Sequence, residues 1–482
     1  MNNITLKTAK AFKWSSITEI LAKIISPVIN MLLARILAPE AFGVLATISM
    51  VISFAEVLVE SGFQKFLIQH NFESFEEEQK YMSVAFWANL AFSLFIWGTL
   101  IIFCEPVAMM AGNAGLGLPL AVTGLVIPLH SVIGMQNCQL KKDLDFKGLF
   151  IVRTISAFVP LVVTLPLAMF GFDYWSLVIG NIAGAIVQSA ILLFVGKFKP
   201  NFFFSYQIFK HMLSFGIWTL LDGFAIWATS WIGSLLIAHF LDDYYLGLYK
   251  NSSSTITMLF SIVTAALTPV LFSALSKLQD DDTEFKRLFL NIQKLLCTFL
   301  IPLSVGVYFY REFATWVLFG DQWGEAADII GIMAITTVLR TIFVSTYGDA
   351  FRAKGHFKVP LVLQLIDLLF MIPACIISVN FGFWPLVYTR AFIKLDLIVP
   401  DLFLVKKICN ISIKETLKMM FPSLLSTLVM VVAIVLLQMV NQAVVWSIVS
   451  IIICIVLYFC VLFMFKEERN KFLYPIIKKI KK

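Results

Sequence analysis

Charge is scarce in this chain. Only 14% of its 482 residues are Asp, Glu, Lys or Arg, while 60% are hydrophobic. That balance excludes a soluble globular enzyme and leaves a polytopic membrane protein. Catalytic signatures are missing too. There is no Walker P-loop, hence no sign of ATP hydrolysis, and no nucleophile elbow. The seven cysteines, at 104, 138, 297, 375, 409, 454 and 460, form no CxxC pair. They suggest neither a disulfide framework nor a metal site. The expectation is a protein that is not an enzyme and uses no cofactor or metal. The net charge of +7 does not argue for nucleic acid, because the cations lie in short loops between apolar runs. No stretch is long enough for an extramembrane domain. The longest outer loop, 310–328, offers Trp316 and Trp323 to the membrane interface.

What is there is a series of long apolar helices. The pattern predicts an all-α fold of about fourteen spans, roughly 12–34, 41–60, 81–104, 116–136, 148–170, 175–196, 212–237, 244–274, 288–309, 325–346, 359–378, 384–405, 419–440 and 444–465. Lys7, Lys10 and Lys13 before an apolar stretch resemble a signal peptide. Glu19 and Lys23 interrupt its apolar core, so it reads as an uncleaved first span. With fourteen spans, 29 of the 37 Lys and Arg fall on the side of the termini, two (Arg35 and Arg311) fall opposite, and six lie within spans. The positive-inside rule then puts both termini in the cytoplasm. The basic C-tail reads as an anchor on anionic lipid.

The chain is organised around residues 14–45, a span, a tight turn and the start of a second span. Ser16, Glu19, Lys23, Ser26 and Asn30 recur at steps of three and four, so they share one helical face. A charge at membrane depth costs a few kcal/mol, so this face should turn toward protein or water. The hairpin recurs at a shift of 204, which pairs Trp14 with Trp218, Ser26 with Ser230, Ala34 with Ala238, Leu37 with Leu241 and Gly43 with Gly247. The prediction is a duplicated bundle: an N-lobe over 1–196 (spans 1–6), a C-lobe over 197–405 (spans 7–12), and two additional C-terminal spans with a basic tail over 406–482. Two pseudo-symmetric six-helix lobes would enclose a central cavity.

Other spans carry polar faces. Span 2 has Ser49, Ser53, Glu56 and Glu60. Span 7 has Trp218, Asp222 and Thr229. Span 8 has Lys250, Ser253, Thr257, Ser261, Thr264 and Thr268. Span 10 has Arg340, and span 12 has Arg390 and Lys394 one turn apart. Bland readings stand beside these. Glu19 and Lys23 can neutralise one another. Arg390 and Lys394 can snorkel to the interface, and the hydroxyl stripe of span 8 can glue helices together. His130 in span 4 reads as a packed, hydrogen-bonded residue. Lys250 and Arg340 have no acidic partner nearby in sequence and are the foremost candidates to meet a substrate.

Several stretches carry a resemblance: LARILAPEAFGVLA (33–46), SGFQKFLIQ (61–69), SVAFWANL (83–90), LKKDLDFKGL (140–149), GFDYWSLV (171–178), LGLYKNSS (246–253), PVLFSALSKLQDD (269–281) and FGDQWGEA (319–326). In this order they resemble the polysaccharide transporters, the Wzx-type oligosaccharide flippases of the multidrug/oligosaccharidyl-lipid/polysaccharide exporter superfamily. The resemblance implies alternating access. It also implies a polyprenyl-diphosphate-linked oligosaccharide turned from the cytoplasmic to the periplasmic leaflet of a bacterial inner membrane, for O-antigen, capsule or exopolysaccharide. It implies a polysaccharide polymerase and glycosyltransferases as functional partners, beside membrane lipid. The residues agree with it. A diphosphate needs fixed cations in a low-dielectric site, and Lys23, Lys250 and Arg340 can supply them. Trp218 or Trp227 can stack on a sugar, and Ser253, Thr257 and Ser261 can bind its hydroxyls. Glu19, Glu56 and Asp222 are the candidates for ion coupling or gating. Two rivals remain at this stage: a cation-coupled multidrug exporter of the same superfamily, and a non-transporting assembly component of a polysaccharide machine.

Overall fold

The structure is a computed structural model. It describes residues 25–59, 62–70, 72–143, 145–196, 198–356, 358–441, 443–466 and 468–469. It gives the backbone alone for residues 69, 146, 214, 215, 217, 218, 222 and 265–273. Among the described residues all regular structure is helical. Eleven helices are long and apolar enough to cross a membrane. They coincide with the expected spans 2–7, 9–11, 13 and 14. The first span lies mostly outside the described residues. The eighth is a 35-residue helix, and the twelfth is broken in two.

The chain divides into two compact units. One runs to Asn251 and takes back Leu368–Leu386; the other holds Ser252–Asp367 and the chain from Val387. The first unit contains α1 (Ile25–Ala34), α2 (Pro39–Val59), α3 (Phe63–Gln69), α4 (Phe75–Ile102), α5 (Cys104–Met110), α6 (Gly117–Thr123), α7 (Val126–Lys142), α8 (Phe146–Val162), α9 (Thr164–Met169), α10 (Asp173–Val195), α11 (Tyr206–Phe240) and the start of α12 (Asp243–Lys277). Pro39 opens α2, where its missing N–H would have had no helical partner in any case. Ile48, Leu120, Ile127 and Val178 form one buried cluster and Leu67, Met82 and Met135 another. Outward-facing side chains such as Phe194 and Leu193 stay apolar and exposed, as a bilayer solvent requires.

The 204-residue shift has a physical counterpart in this unit. It carries Pro39 onto Asp243 and Gly43 onto Gly247. A methyl group at Gly43 would overlap the Asp243 carbonyl, and one at Gly247 would overlap the Pro39 carbonyl. The two helix starts therefore meet backbone to backbone, each through its own glycine and in the same way. Only glycine permits that approach. The same shift carries Asn30 onto Ser234 and Thr47 onto Asn251. Asn30 Nδ2 donates to Asn251 Oδ1 at 2.7 Å.

The second unit holds the rest of α12, then α13 (Asp282–Phe309), α14 (Arg311–Phe319), α15 (Ala326–Arg340), a π-helical turn (Thr341–Ser345), α16 (Thr346–Ala353), most of the first half of α17 (Lys358–Val379), most of α18 (Phe383–Ile393), α19 (Ile398–Cys409), α20 (Ile413–Val440) and α21 (Val444–Leu462). Here α13 mirrors α4. Both have 28 residues, and both are capped by a side-chain oxygen, Ser74 on the Glu77 N–H and Asp281 on the N–H groups of Thr283 and Glu284. Each cap satisfies helix-end donors. Each helix then breaks at one residue, Phe103 or Tyr310, and resumes as a short helix. Phe285, Phe289, Tyr347 and Phe351 centre the core. The final hairpin is fastened to α13 by polar contacts. Tyr458 donates to the Thr298 carbonyl at 2.7 Å, and Tyr310 donates to Ser450 Oγ at 2.8 Å.

Candidate functional site

Ionisable groups within spans are costly and mark function by default, so the site is built from them, unit by unit. In the first unit, α11 and α12 bring Trp231 under Lys250. The ammonium sits 3.3 Å from the ring centroid. A π face attracts the cation through the ring quadrupole, so the ring offsets part of the cost of taking Lys250 out of water. Trp231 was not singled out from the sequence. Its spacing from Lys250 crosses a turn, and periodicity within one helix does not reveal it.

Glu56 on α2 meets His130 on α7, Oε1 against Nδ1. Their side chains are 30% and 42% exposed. His130 is therefore hydrogen-bonded as expected but not enclosed, and its partner is one of the residues assigned to coupling. One turn back along α2, Trp227 donates its indole N–H to the Met50 carbonyl and to Ser53 Oγ, both at 3.2 Å. Its ring also packs on Phe54 at 4.9 Å. The polar edge of Trp227 is thus occupied by α2.

The hydroxyl stripe of α12 folds back on its own helix. Thr257 donates to the Ser253 carbonyl at 2.8 Å and Ser261 to the Met258 carbonyl at 2.7 Å. Thr257 remains exposed and Ser253 and Ser261 half-buried. Such back-bonding satisfies the O–H donors and leaves oxygen lone pairs.

Glu19 and Lys23 lie outside the described residues. Trp218 and Asp222 belong to α11, with side chains likewise outside what is described.

The second unit corrects one expectation. Arg340 is not a lone cation. Its Nη2 donates to Oδ2 of Asp367 at 2.9 Å, and Asp367 is 1% exposed against 26% for the Arg340 side chain. The partner comes from the next span, beyond the reach of a sequence-local search. Arg340 ends α15, and the π-helical turn begins at the next residue. Such turns loosen the ladder and occur at functional sites. Gln293 Nε2 takes up the Ile342 carbonyl at 3.2 Å.

Around this pair lie groups from the broken twelfth span. Lys394, Leu395, Asp396 and Leu397 form the turn between α18 and α19, held by short-range bonds such as Leu395 N–H to the Phe392 carbonyl at 2.9 Å. Lys394 does not snorkel away. Its Nζ donates to Thr337 Oγ1 at 3.0 Å and approaches Met333 Sδ at 3.3 Å, both on α15. Arg390 is buried. Asp401 is 1% exposed, and neither of its carboxyl oxygens has a hydrogen-bond partner. Arg340 is within electrostatic reach of both Asp396 and Asp401. The structure thus gathers three cations and three carboxyls from α15, α17 and the α18–α19 break. The sequence reading named the cations and missed Asp367, Asp396 and Asp401. An acid in the middle of the apolar run LVLQLIDLLFMIP was the available signal. Among the described residues no group of three His, Cys, Asp or Glu is arranged to hold a metal ion.

Comparison with known proteins gives this arrangement a context. A family model described as polysaccharide biosynthesis protein matches residues 32–328. The succinoglycan biosynthesis transport protein ExoT of Rhizobium meliloti (strain 1021) is 27% identical over 312 residues, covering 64% of this chain. That match spans 62% of ExoT, under two thirds of its length. The lipopolysaccharide biosynthesis protein WzxC of Escherichia coli (strain K12) is 23% identical over 382 residues, covering 77% of this chain and 75% of WzxC. Among solved structures, the lipid II flippase MurJ in an inward closed conformation has a similar fold. Its TM-score is 0.77 at 17% identity, over 95% of this chain and 99% of MurJ.

Proposed function

Because the chain belongs to the polysaccharide biosynthesis protein family, we propose that it is a flippase for polyprenyl-diphosphate-linked oligosaccharide. It turns the repeat unit of a surface polysaccharide from the cytoplasmic to the outer leaflet by alternating access. The observation that carries the reading is the family match over residues 32–328, on a chain built of membrane-spanning helices. The names of ExoT and WzxC, a transport protein and a lipopolysaccharide biosynthesis protein, support it.

The residues supply a chemistry for it. A diphosphate leaving water needs cations that stay charged in a low-dielectric site. Lys250, resting on Trp231, and Arg340, held by Asp367, are assigned to that role, with Lys23. Thr257, Ser253 and Ser261 are assigned to the sugar hydroxyls. Trp218 and the face of Trp227 are assigned to stacking on a sugar. The Glu56–His130 pair is assigned to coupling, with Glu19 and Asp222. The polyprenyl tail needs no polar site and stays in lipid. The chain works in a bacterial inner membrane with both termini cytoplasmic, beside a polymerase and glycosyltransferases, and performs no covalent step itself.

The test is leaflet exposure of lipid-linked oligosaccharide in cells lacking the protein. Accumulation on the cytoplasmic side, relieved by the wild-type chain, is expected. Normal flipping in its absence would overturn the assignment, and drug resistance on overexpression would then point to the exporter.

A further inference from the structure

Among the described residues, the hydrogen bonds of Lys394 go to neutral groups. Its Nζ touches a hydroxyl and a thioether, Thr337 Oγ1 at 3.0 Å and Met333 Sδ at 3.3 Å. An ammonium has three donors, so one proton is left without an acceptor among the described residues. Of the neighbouring charges, Arg390 and Arg340 are of its own sign, and the Asp367 carboxylate is taken up by Arg340. For stability alone this is a poor choice. A half-buried cation with no carboxylate bonded to it is a cost rather than a gain, and an apolar side chain of similar size would do better. The place is unusual as well. Lys394 stands where a span breaks, and it reaches α15 three residues before Arg340, where a second helix loosens into its π-helical turn. Irregular backbone at membrane depth is tolerated where it lines a protein-walled or watery space, and broken helices form the substrate sites of many transporters. Two such irregularities, each bearing a cation, come together here.

We propose that Lys394 is a substrate-contacting cation, and that Lys394 and Arg340 together form an oxyanion site for the diphosphate of the lipid carrier. The assignment rests on the flippase reading above. Two adjacent positive centres suit two linked phosphates better than one. Arg340 keeps its orientation through Asp367, while Lys394 exchanges its neutral partners for phosphate oxygen. An anionic phospholipid headgroup shares the phosphate chemistry but presents a single phosphate.

The experiment uses the full chain in nanodiscs. Binding of a short-chain polyprenyl diphosphate, its monophosphate and phosphatidylglycerol is followed by tryptophan fluorescence. Lys394→Gln is expected to weaken diphosphate binding roughly tenfold or more, as loss of a charge-assisted bond should. Lys394→Arg should retain most of it, and neither variant should change binding of phosphatidylglycerol. Lys394→Met should melt at or above the wild-type temperature, because it removes an uncompensated charge. Wild-type binding of diphosphate with no change in Lys394→Gln overturns the proposal and leaves the flippase reading standing. Equal competition by phosphatidylglycerol marks a headgroup site and overturns it as well. A marked loss of melting temperature in Lys394→Met shows a structural role and does the same. A wild-type chain that binds no diphosphate removes the flippase reading itself.

Discussion

The two units keep charge in the membrane by opposite means. In the first, Lys250 lies over the ring of Trp231. That contact solvates the ammonium without adding a negative charge. In the second, Arg340 is tied to Asp367, a carboxylate closed off from solvent. That contact holds the guanidinium in one orientation. The difference separates a cation set on an aromatic face from one oriented by a carboxylate. Lys394, in the second unit, is held in a third way, by a hydroxyl and a thioether.

The sharpest way to break the comparison is to strand the buried acid. Arg340→Met leaves Asp367 without its counter-ion and should cost about 3–5 kcal/mol, read as a fall in melting temperature in detergent. The double variant Arg340→Met/Asp367→Leu should lose clearly less than the two single variants combined. Equal, additive losses would mean that the pair is not an energetic unit.

The first unit depends instead on close backbone approach. Gly43→Val or Gly247→Val should destabilise by roughly 3 kcal/mol, in the range of overpacked sites, and by similar amounts, since the two positions make matching contacts. A large effect at one glycine and none at the other would contradict the reciprocal packing.

Smaller effects sharpen the contrast. Trp231→Leu should remove about 0.5–2 kcal/mol of cation–π attraction and weaken transport, while Trp231→Phe should retain part of it. No change in transport with Trp231→Leu would detach the ring from the function of Lys250. Trp227→Phe should cost about 1 kcal/mol, the worth of its indole hydrogen bonding to α2, again read from the melting temperature. Thr257→Val should change stability least, within about 0.5 kcal/mol, because the hydroxyl bonds only within its own helix. A transport defect in that variant without a stability change would support its sugar-binding role.

These effects also show what the sequence can and cannot display. The spans were legible because apolar runs long enough to cross a bilayer are local features. The 204-residue shift was legible too, and Gly43 and Gly247, which it pairs, do meet reciprocal backbone. Arg340 and Lys250 were visible because ionisable residues stand out in apolar helices. Their partners were not. Asp367 and Trp231 join them across helices, and pairing between helices has no period in the chain. Lys394 shows the same limit. One turn from Arg390, it invited a snorkelling reading, and the break that turns it toward α15 is announced only by Pro400, which stands in the first turn of α19 and cannot continue the helix before it.

The most direct test of the central claim is transport by the purified chain in proteoliposomes, loaded with a fluorescent polyprenyl-diphosphate oligosaccharide and scored by the fraction shielded from an external quencher. The account predicts rapid equilibration between leaflets with the wild-type chain and slow equilibration with Lys250→Ala, although that variant should still fold. A wild-type chain that leaves the lipid in its starting leaflet would contradict it.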